Sequence, residues 1–178
     1  MAICHSLFVL ASRINTNEHE NSCAFVVNEK IMLKCSGNPA STGEEEVAQI
    51  IDANLNRARE GLRVVEEVAR FILHDEKLTK EIKAQRQGLS ALFKKQKLIK
   101  FRDTKKDLGK YKDFDDSRYH SLRETIQRNL SRAQEGCRVL EEFSKLFSKE
   151  LPPKIKEIRF NIYELEKTII QIMDKTTE

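Results

Sequence analysis

A seventeen-residue segment of this chain occurs twice. IDANLNRAREGLRVVEE at 51–67 returns as IQRNLSRAQEGCRVLEE at 126–142, 75 positions later, with eleven of seventeen positions identical. The likeness continues downstream of each copy, where Ile82-x-x-x-Arg86 matches Ile155-x-x-x-Arg159. Each copy has apolar residues at helical spacing and leads into a second such run. A duplicated pair of helices cannot bury its apolar faces one pair at a time, so the copies must pack together. The expected fold is all-α: a four-helix bundle-like domain from two tandem helical hairpins with pseudo-two-fold symmetry.

The halves are read as 41–97 and 117–173, joined by a connector at 98–116, within a duplicated helical domain spanning 41–178. Helical order starts after two capping-box patterns, Ser41-x-x-Glu44 and Thr42-x-x-Glu45. The spacing predicts helices over 47–73, 77–97, 117–148 and from Pro152-Pro153 to about residue 173, since proline is tolerated in a first helical turn. In the last helix Ile155, Ile158, Ile162, Leu165, Ile169 and Ile172 form a narrow seam suited to another helix. Residues 1–40 read as an irregular extension, with a small hairpin suggested by the apolar runs at 23–27 and 31–33.

Composition narrows the function. Charged residues make up 34 % and aromatics 7 %, with only three prolines and six glycines, as helices with one solvated face require. A net charge of +4 with interleaved acids and few stacking platforms argues against nucleic acid. No run approaches the roughly 18 apolar residues of a membrane helix, and the first residues lack the basic start of a signal peptide. A cytoplasmic protein is expected. Cys4, Cys23, Cys35 and Cys137 form no CxxC pair, so free thiols are expected over zinc, with a Cys23–Cys35 bridge as the alternative. Cys137 reads as a small apolar core residue. His5, His19, His74 and His120 are scattered and suggest no metal site. Phosphate-loop, dinucleotide and nucleophile-elbow motifs are missing.

The repeat also indicates where chemistry would sit. On a 100° wheel Leu55, Ala58, Gly61, Leu62, Val65, Val68 and Ile72 share one arc. Asn54 and Arg57 fall inside it, as do Asn129 and Arg132 in the second copy, with Glu60 and Glu135 at its edge. An inward arginine must be paired. Two readings stand side by side. In one, Arg57 pairs with a carboxylate such as Glu60, the second copy does the same, and the polar layer fixes the bundle's register. In the other, the two Asn-x-x-Arg sets face a shared cavity and bind an anion, for which the guanidinium fork is suited. Gly61 and Gly136 read as points of close helix approach, with room for a ligand as the alternative. Glu66-Glu67 and Glu141-Glu142 read as solvated faces paired to Arg63 and Arg138. The connector carries Arg102-Asp103-Thr104 and Asp107-Leu108-Gly109, either a capped loop or a functional one.

Three motifs together carry a resemblance. The segment 52–67, Arg102-Asp103-Thr104-x-x-Asp107-Leu108-Gly109 and the second-half motif at 129–142 resemble, in order and spacing, the helical hydroxymethylpyrimidine phosphate kinase family. That family occurs as the N-terminal domain fused to thiamine phosphate synthase in some bacteria, and its connector reads RDTxxDVG. The likeness covers about residues 45–172. It implies phosphorylation of 4-amino-5-hydroxymethyl-2-methylpyrimidine phosphate to the pyrophosphate in thiamine biosynthesis, with ATP as co-substrate and Mg²⁺. The resemblance does not itself assign roles; for metal-assisted phosphoryl transfer Arg102 and Asp103 are expected to serve the transfer. Asn54, Arg57, Asn129, Arg132, Thr104, Glu60 and Glu135 are expected to hold substrate or phosphate, and Asp107, with Asp103 as the alternative, to hold the metal. Expected partners are the pyrimidine phosphate and ATP, with thiamine phosphate synthase as a candidate protein partner; the bundle can be complete alone or pair with a second copy in a homodimer. The alternative is a non-catalytic helical partner or regulatory domain of the synthase.

Overall fold

The computed structural model describes residues 43–105, 107 and 118–176. Four helices form: α1 (Glu44–Phe71), α2 (Glu76–Leu92), α3 (Leu122–Ser144) and α4 (Leu151–Thr176). Two short 3₁₀ turns, Lys94–Gln96 and Leu98–Phe101, follow α2. The expected all-α class holds, with no strand among the described residues. The hairpin expected at 23–33 lies outside them, as do Cys4, Cys23, Cys35, His5, His19, Ser41 and Thr42.

Each helix packs on two others. α1 packs on α2 and α3, and α4 packs on α3 and α2, while the backbones of the α1–α4 and α2–α3 diagonals stay apart. That ring is a four-helix bundle. Its core is continuous, with Ile51, Leu62, Val65, Ile82, Leu89, Ile126, Leu130, Leu140, Ile155, Ile162 and Ile169 all removed from water. The α4 seam is buried at Ile155, Ile162, Leu165 and Ile169 and half-buried at Ile158 and Ile172. Ile72, expected in the α1 arc, is 53 % exposed, because α1 ends at Phe71 and Ile72 is its C-cap.

Local chemistry sets the ends. Asp75 caps α2 by accepting from the Leu78 N–H at 2.9 Å, and His74, at φ 51°, turns the chain between the helices. The α3 start moves from the expected residue 117 to Leu122, because Ser121 accepts from the Glu124 N–H at 3.1 Å. The Glu124 carboxylate accepts from the His120 N–H at 2.9 Å, which completes a reciprocal cap and pulls its pKa below the usual carboxylate range. The Ser148 hydroxyl accepts from the Glu150 and Leu151 N–H groups, which starts α4 one residue before Pro152. No helix is long and apolar enough to cross a membrane among the described residues.

The two glycines of the repeat sit where α1 crosses α3. A Cβ at Gly61 would collide with the backbone carbonyl of Asn129. A Cβ at Gly136 would lie 2.9 Å from the backbone carbonyl oxygen of Asn54. Position 61 thus meets 129 while 54 meets 136, so α1 and α3 run antiparallel. The close-approach reading of both glycines holds.

Candidate functional site

Asn54 and Asn129 are buried at this crossing, and each spends its amide on its own helix. Asn54 Nδ2 donates to the Ile50 carbonyl and Asn129 Nδ2 to the Thr125 carbonyl, both at 2.8 Å. Where a shared cavity had been one expectation, the helix backbones meet. Arg57 and Arg132 do not point inward as the wheel suggested; both are exposed. A long side chain at the rim of the arc reaches water instead of desolvating its charge. Arg57 donates to Asn54 Oδ1 at 3.2 Å rather than pairing with Glu60, and Arg132 donates to the Tyr119 hydroxyl at 3.2 Å. Glu60 and Glu135 are exposed as well.

A second correction concerns Glu66 and Glu141, expected on solvated faces. Both are buried. Glu66 accepts from Arg86 Nε at 2.7 Å and from Arg63 Nη1 at 3.2 Å. Glu141 accepts from Arg159 Nη2 at 2.9 Å and from Arg138 Nη1 at 2.8 Å. The same arginine–glutamate–arginine arrangement therefore ties each long helix to its partner. The expected pairs of Arg63 and Arg138 with Glu67 and Glu142 are also present.

The connector makes the cleft. Lys97 adopts a left-handed conformation, φ 46°, between the two 3₁₀ turns, and Leu98 beyond it is buried. The second turn packs on α1 and aims Arg102 at Asp52. Arg102 Nε and Nη2 donate to the two Asp52 carboxylate oxygens at 2.6 and 2.9 Å, a bidentate clamp. Those bonds raise the Arg102 pKa above the ordinary arginine value. Asp52 is only 6 % exposed. Beside the clamp opens a cleft of about 520 Å³, within the size range of small-molecule sites. Its α1 wall is Glu46, Gln49, Ile50, Asp52, Ala53 and Asn56, and its other wall is Arg102, Asp103, Thr104 and Asp107. The four connector residues singled out in the sequence thus share one cleft. Asn54, Arg57, Asn129, Arg132 and Glu135 do not line it, and Glu60 lines a smaller pocket further along α1.

Sequence reasoning missed Asp52. The signal was available: an acid flanked by buried Ile51 and Leu55 in the first copy has Gln127 as its counterpart in the second. The copies differ at six positions. Leu62/Cys137 and Val65/Leu140 are core substitutions. The other four, Asp52/Gln127, Ala53/Arg128, Asn56/Ser131 and Arg59/Gln134, all have their first-copy member on a wall of the 520 Å³ cleft or the smaller pocket.

The oxygen donors on the cleft suit Mg²⁺ that arrives with phosphate. Among the described residues no group of three or more His, Cys, Asp or Glu side chains could hold a metal alone. Mg²⁺ is commonly held by one or two carboxylates together with substrate phosphates and water. Asp103 and Asp107 are donors of that kind, and Asp103 Oδ1 also accepts from the Lys105 N–H at 3.0 Å; both Asp52 oxygens accept from Arg102.

The ThiD2 family matches residues 49–168. The chain is 41 % identical over 125 residues to the thiamine-phosphate synthase of Synechocystis sp., covering 70 % of this chain and 36 % of that protein. It is 42 % identical over 126 residues to the thiamine-phosphate synthase of Gloeobacter violaceus, covering 70 % and 37 %. The match to the thiamine-phosphate synthase of Nostoc punctiforme is 38 % over 128 residues, covering 71 % and 36 %. The chain therefore spans little more than a third of the length of these relatives. No solved structure matches it.

Proposed function

The chain belongs to the ThiD2 family, and from that premise we propose that it works in the thiamine pathway as a phosphotransferase. In this reading it phosphorylates 4-amino-5-hydroxymethyl-2-methylpyrimidine phosphate with ATP. A phosphate oxygen of the acceptor attacks the γ-phosphorus, the bond to the β-phosphate oxygen breaks, and ADP leaves. The acceptor phosphate is already ionised at neutral pH, so no strong general base is needed. The demand is positioning and charge neutralisation.

The observation that carries this reading is the Asp52–Arg102 clamp. It fixes the connector against α1 and brings Asp103, Thr104 and Asp107 to one cleft. In this reading Thr104 donates to phosphate oxygen and Arg102 keeps the cleft wall in position. Asp103 and Asp107 are the residues that would hold Mg²⁺, which neutralises phosphate charge when bound. Asn54 and Asn129 join the helices, and Arg57 and Arg132 lie outside the cleft, so this reading moves the phosphate-holding role of both sets to the connector. The test is a coupled assay for ADP release with the pyrimidine phosphate, with and without Mg²⁺. Mg²⁺-dependent turnover is expected, and a folded sample that gives none rejects the reading.

A second reading rests on the relatives being thiamine-phosphate synthases. As a stretch similar to part of thiamine-phosphate synthases, the chain would act as a helical partner of that enzyme without chemistry of its own. Capture of the synthase by a chain that shows no turnover would favour it.

A further inference from the structure

We propose that the pocket lined by Asn56, Arg59, Glu60, Arg63 and Arg86 is a phosphate subsite anchored by Arg59; only the identity of the ligand rests on the kinase reading. The pocket lies where α1 faces α2 and holds about 210 Å³. Three arginines line it against one glutamate. Two of the three are held in place. Arg86 Nε and Nη2 donate to Glu66 at 2.7 and 3.3 Å, and Arg63 Nη1 donates to the same carboxylate at 3.2 Å. Arg59 is different. Its Nε is out of water with no hydrogen-bond partner, and no acid pairs with it among the described residues. A buried donor left unmade is costly unless a ligand completes it.

The second copy differs at the equivalent position. Gln134 stands in the place of Arg59, is neutral, and donates to Glu166 at 2.6 Å. The backbone frame is shared, so the arginine belongs to a demand that only the first copy meets. Asn56 lines both this pocket and the larger cleft, which makes them successive stations along α1. Asp52 and Arg59 are seven residues apart, a rise of about 10 Å on a helix. That separation lets one ligand place a phosphate on Arg59 while another part reaches the connector carboxylates. Two sources of the phosphate fit this chemistry: the polyphosphate tail of the nucleotide and the monoester of the acceptor.

Titration calorimetry on the full chain tests the subsite, with inorganic tripolyphosphate and the pyrimidine phosphate as separate probes. Arg59→Gln is expected to raise Kd at least tenfold for one of them. Arg59→Lys should fall between, since it keeps the charge and loses the fork. Arg70→Gln, which removes an exposed positive charge elsewhere on α1, should change neither. The probe that weakens identifies the source. Unchanged affinity for both probes in Arg59→Gln, equal loss in Arg70→Gln, or no binding of either probe by the unaltered chain overturns the proposal. If Arg59→Gln fails to fold, Arg59→Lys carries the test, with a threefold or greater rise expected and no rise overturning it. Turnover is not read, so a failed kinase assay and a failed subsite are separate results.

Discussion

In the first hairpin Glu66 lies between Arg63 and Arg86; in the second, Glu141 lies between Arg138 and Arg159. Asn54 and Asn129 bond back to their own helices in the same way, and Gly61 and Gly136 each admit the other long helix. Beyond that frame the hairpins part. Asp52 is clamped by Arg102 beside a cleft, while Gln127 is exposed. Arg59 lines a pocket unpaired at Nε, while Gln134 is engaged by Glu166. Residues common to the copies hold the bundle together, and the non-core residues that differ face the clefts. Duplication can keep a scaffold in both copies and leave a ligand site in one.

Breaking the frame should cost most. Glu141→Ala leaves Arg159, with its side chain 11 % exposed, without its acid. A loss of about 3–4 kcal/mol in urea unfolding is expected. Glu66→Ala strands the somewhat more exposed Arg86 and should cost about 2–3 kcal/mol. Only Glu66→Ala should also weaken phosphate binding, because Glu66 positions Arg63 and Arg86. Equal ligand affinity in the two variants would remove the distinction between the hairpins.

Asp52→Asn probes the clefted side. It keeps the shape but releases the Arg102 clamp, and kcat should fall about 100-fold, as expected when positioning is lost by an ångström or so. Its melting temperature should stay close to that of the unaltered chain. A large melting shift with unchanged kcat would assign the clamp to stability instead.

How much of this was legible in the sequence depends on the neighbour each residue meets. The repeat, the hairpins, the glycine crossing and the placement of Cys137 follow from spacing and residue size. The connector residues Arg102, Asp103, Thr104 and Asp107 were legible as a group, since polar turn chemistry is local. Glu66 and Glu141 were misplaced because a wheel drawn for one seam ignores the second helix each bundle helix packs against. The clue was the matched pair of arginines, Arg86 and Arg159, at equivalent places in both copies. Arg57 and Arg132 were misplaced because a wheel locates a Cβ, not the end of a flexible side chain. Asp52 needed the long-range partner fifty residues away that no local pattern names.

The glycines offer a finer comparison. Gly61→Ala must push the Asn129 backbone, and after the helix-propensity gain of alanine a net loss of about 2 kcal/mol is expected. Gly136→Ala is less crowded and should cost about 1 kcal/mol. Thermal or urea unfolding checks the order; a stabilised Gly61→Ala would mean that α1 and α3 stand further apart. Smallest is a labelling effect in the core of the second hairpin. Burial pushes the Cys137 thiol up to about 12. With Cys4, Cys23 and Cys35 replaced by serine, alkylation of the native chain at pH 8 should be at least tenfold slower than in urea, and equal rates would place Cys137 outside the core.

Exchanging the differing residues tests most directly whether the ligand site belongs to the first copy. One variant carries Asp52→Gln and Arg59→Gln; the other carries Gln127→Asp and Gln134→Arg. Mg²⁺–ATP turnover with the pyrimidine phosphate is measured for both, after each is shown to be folded. The first should lose at least 100-fold in kcat/KM while the second stays within about twofold of the unaltered chain. Retained activity in the first, or an equal loss in the second, would contradict the assignment of the site to the first copy.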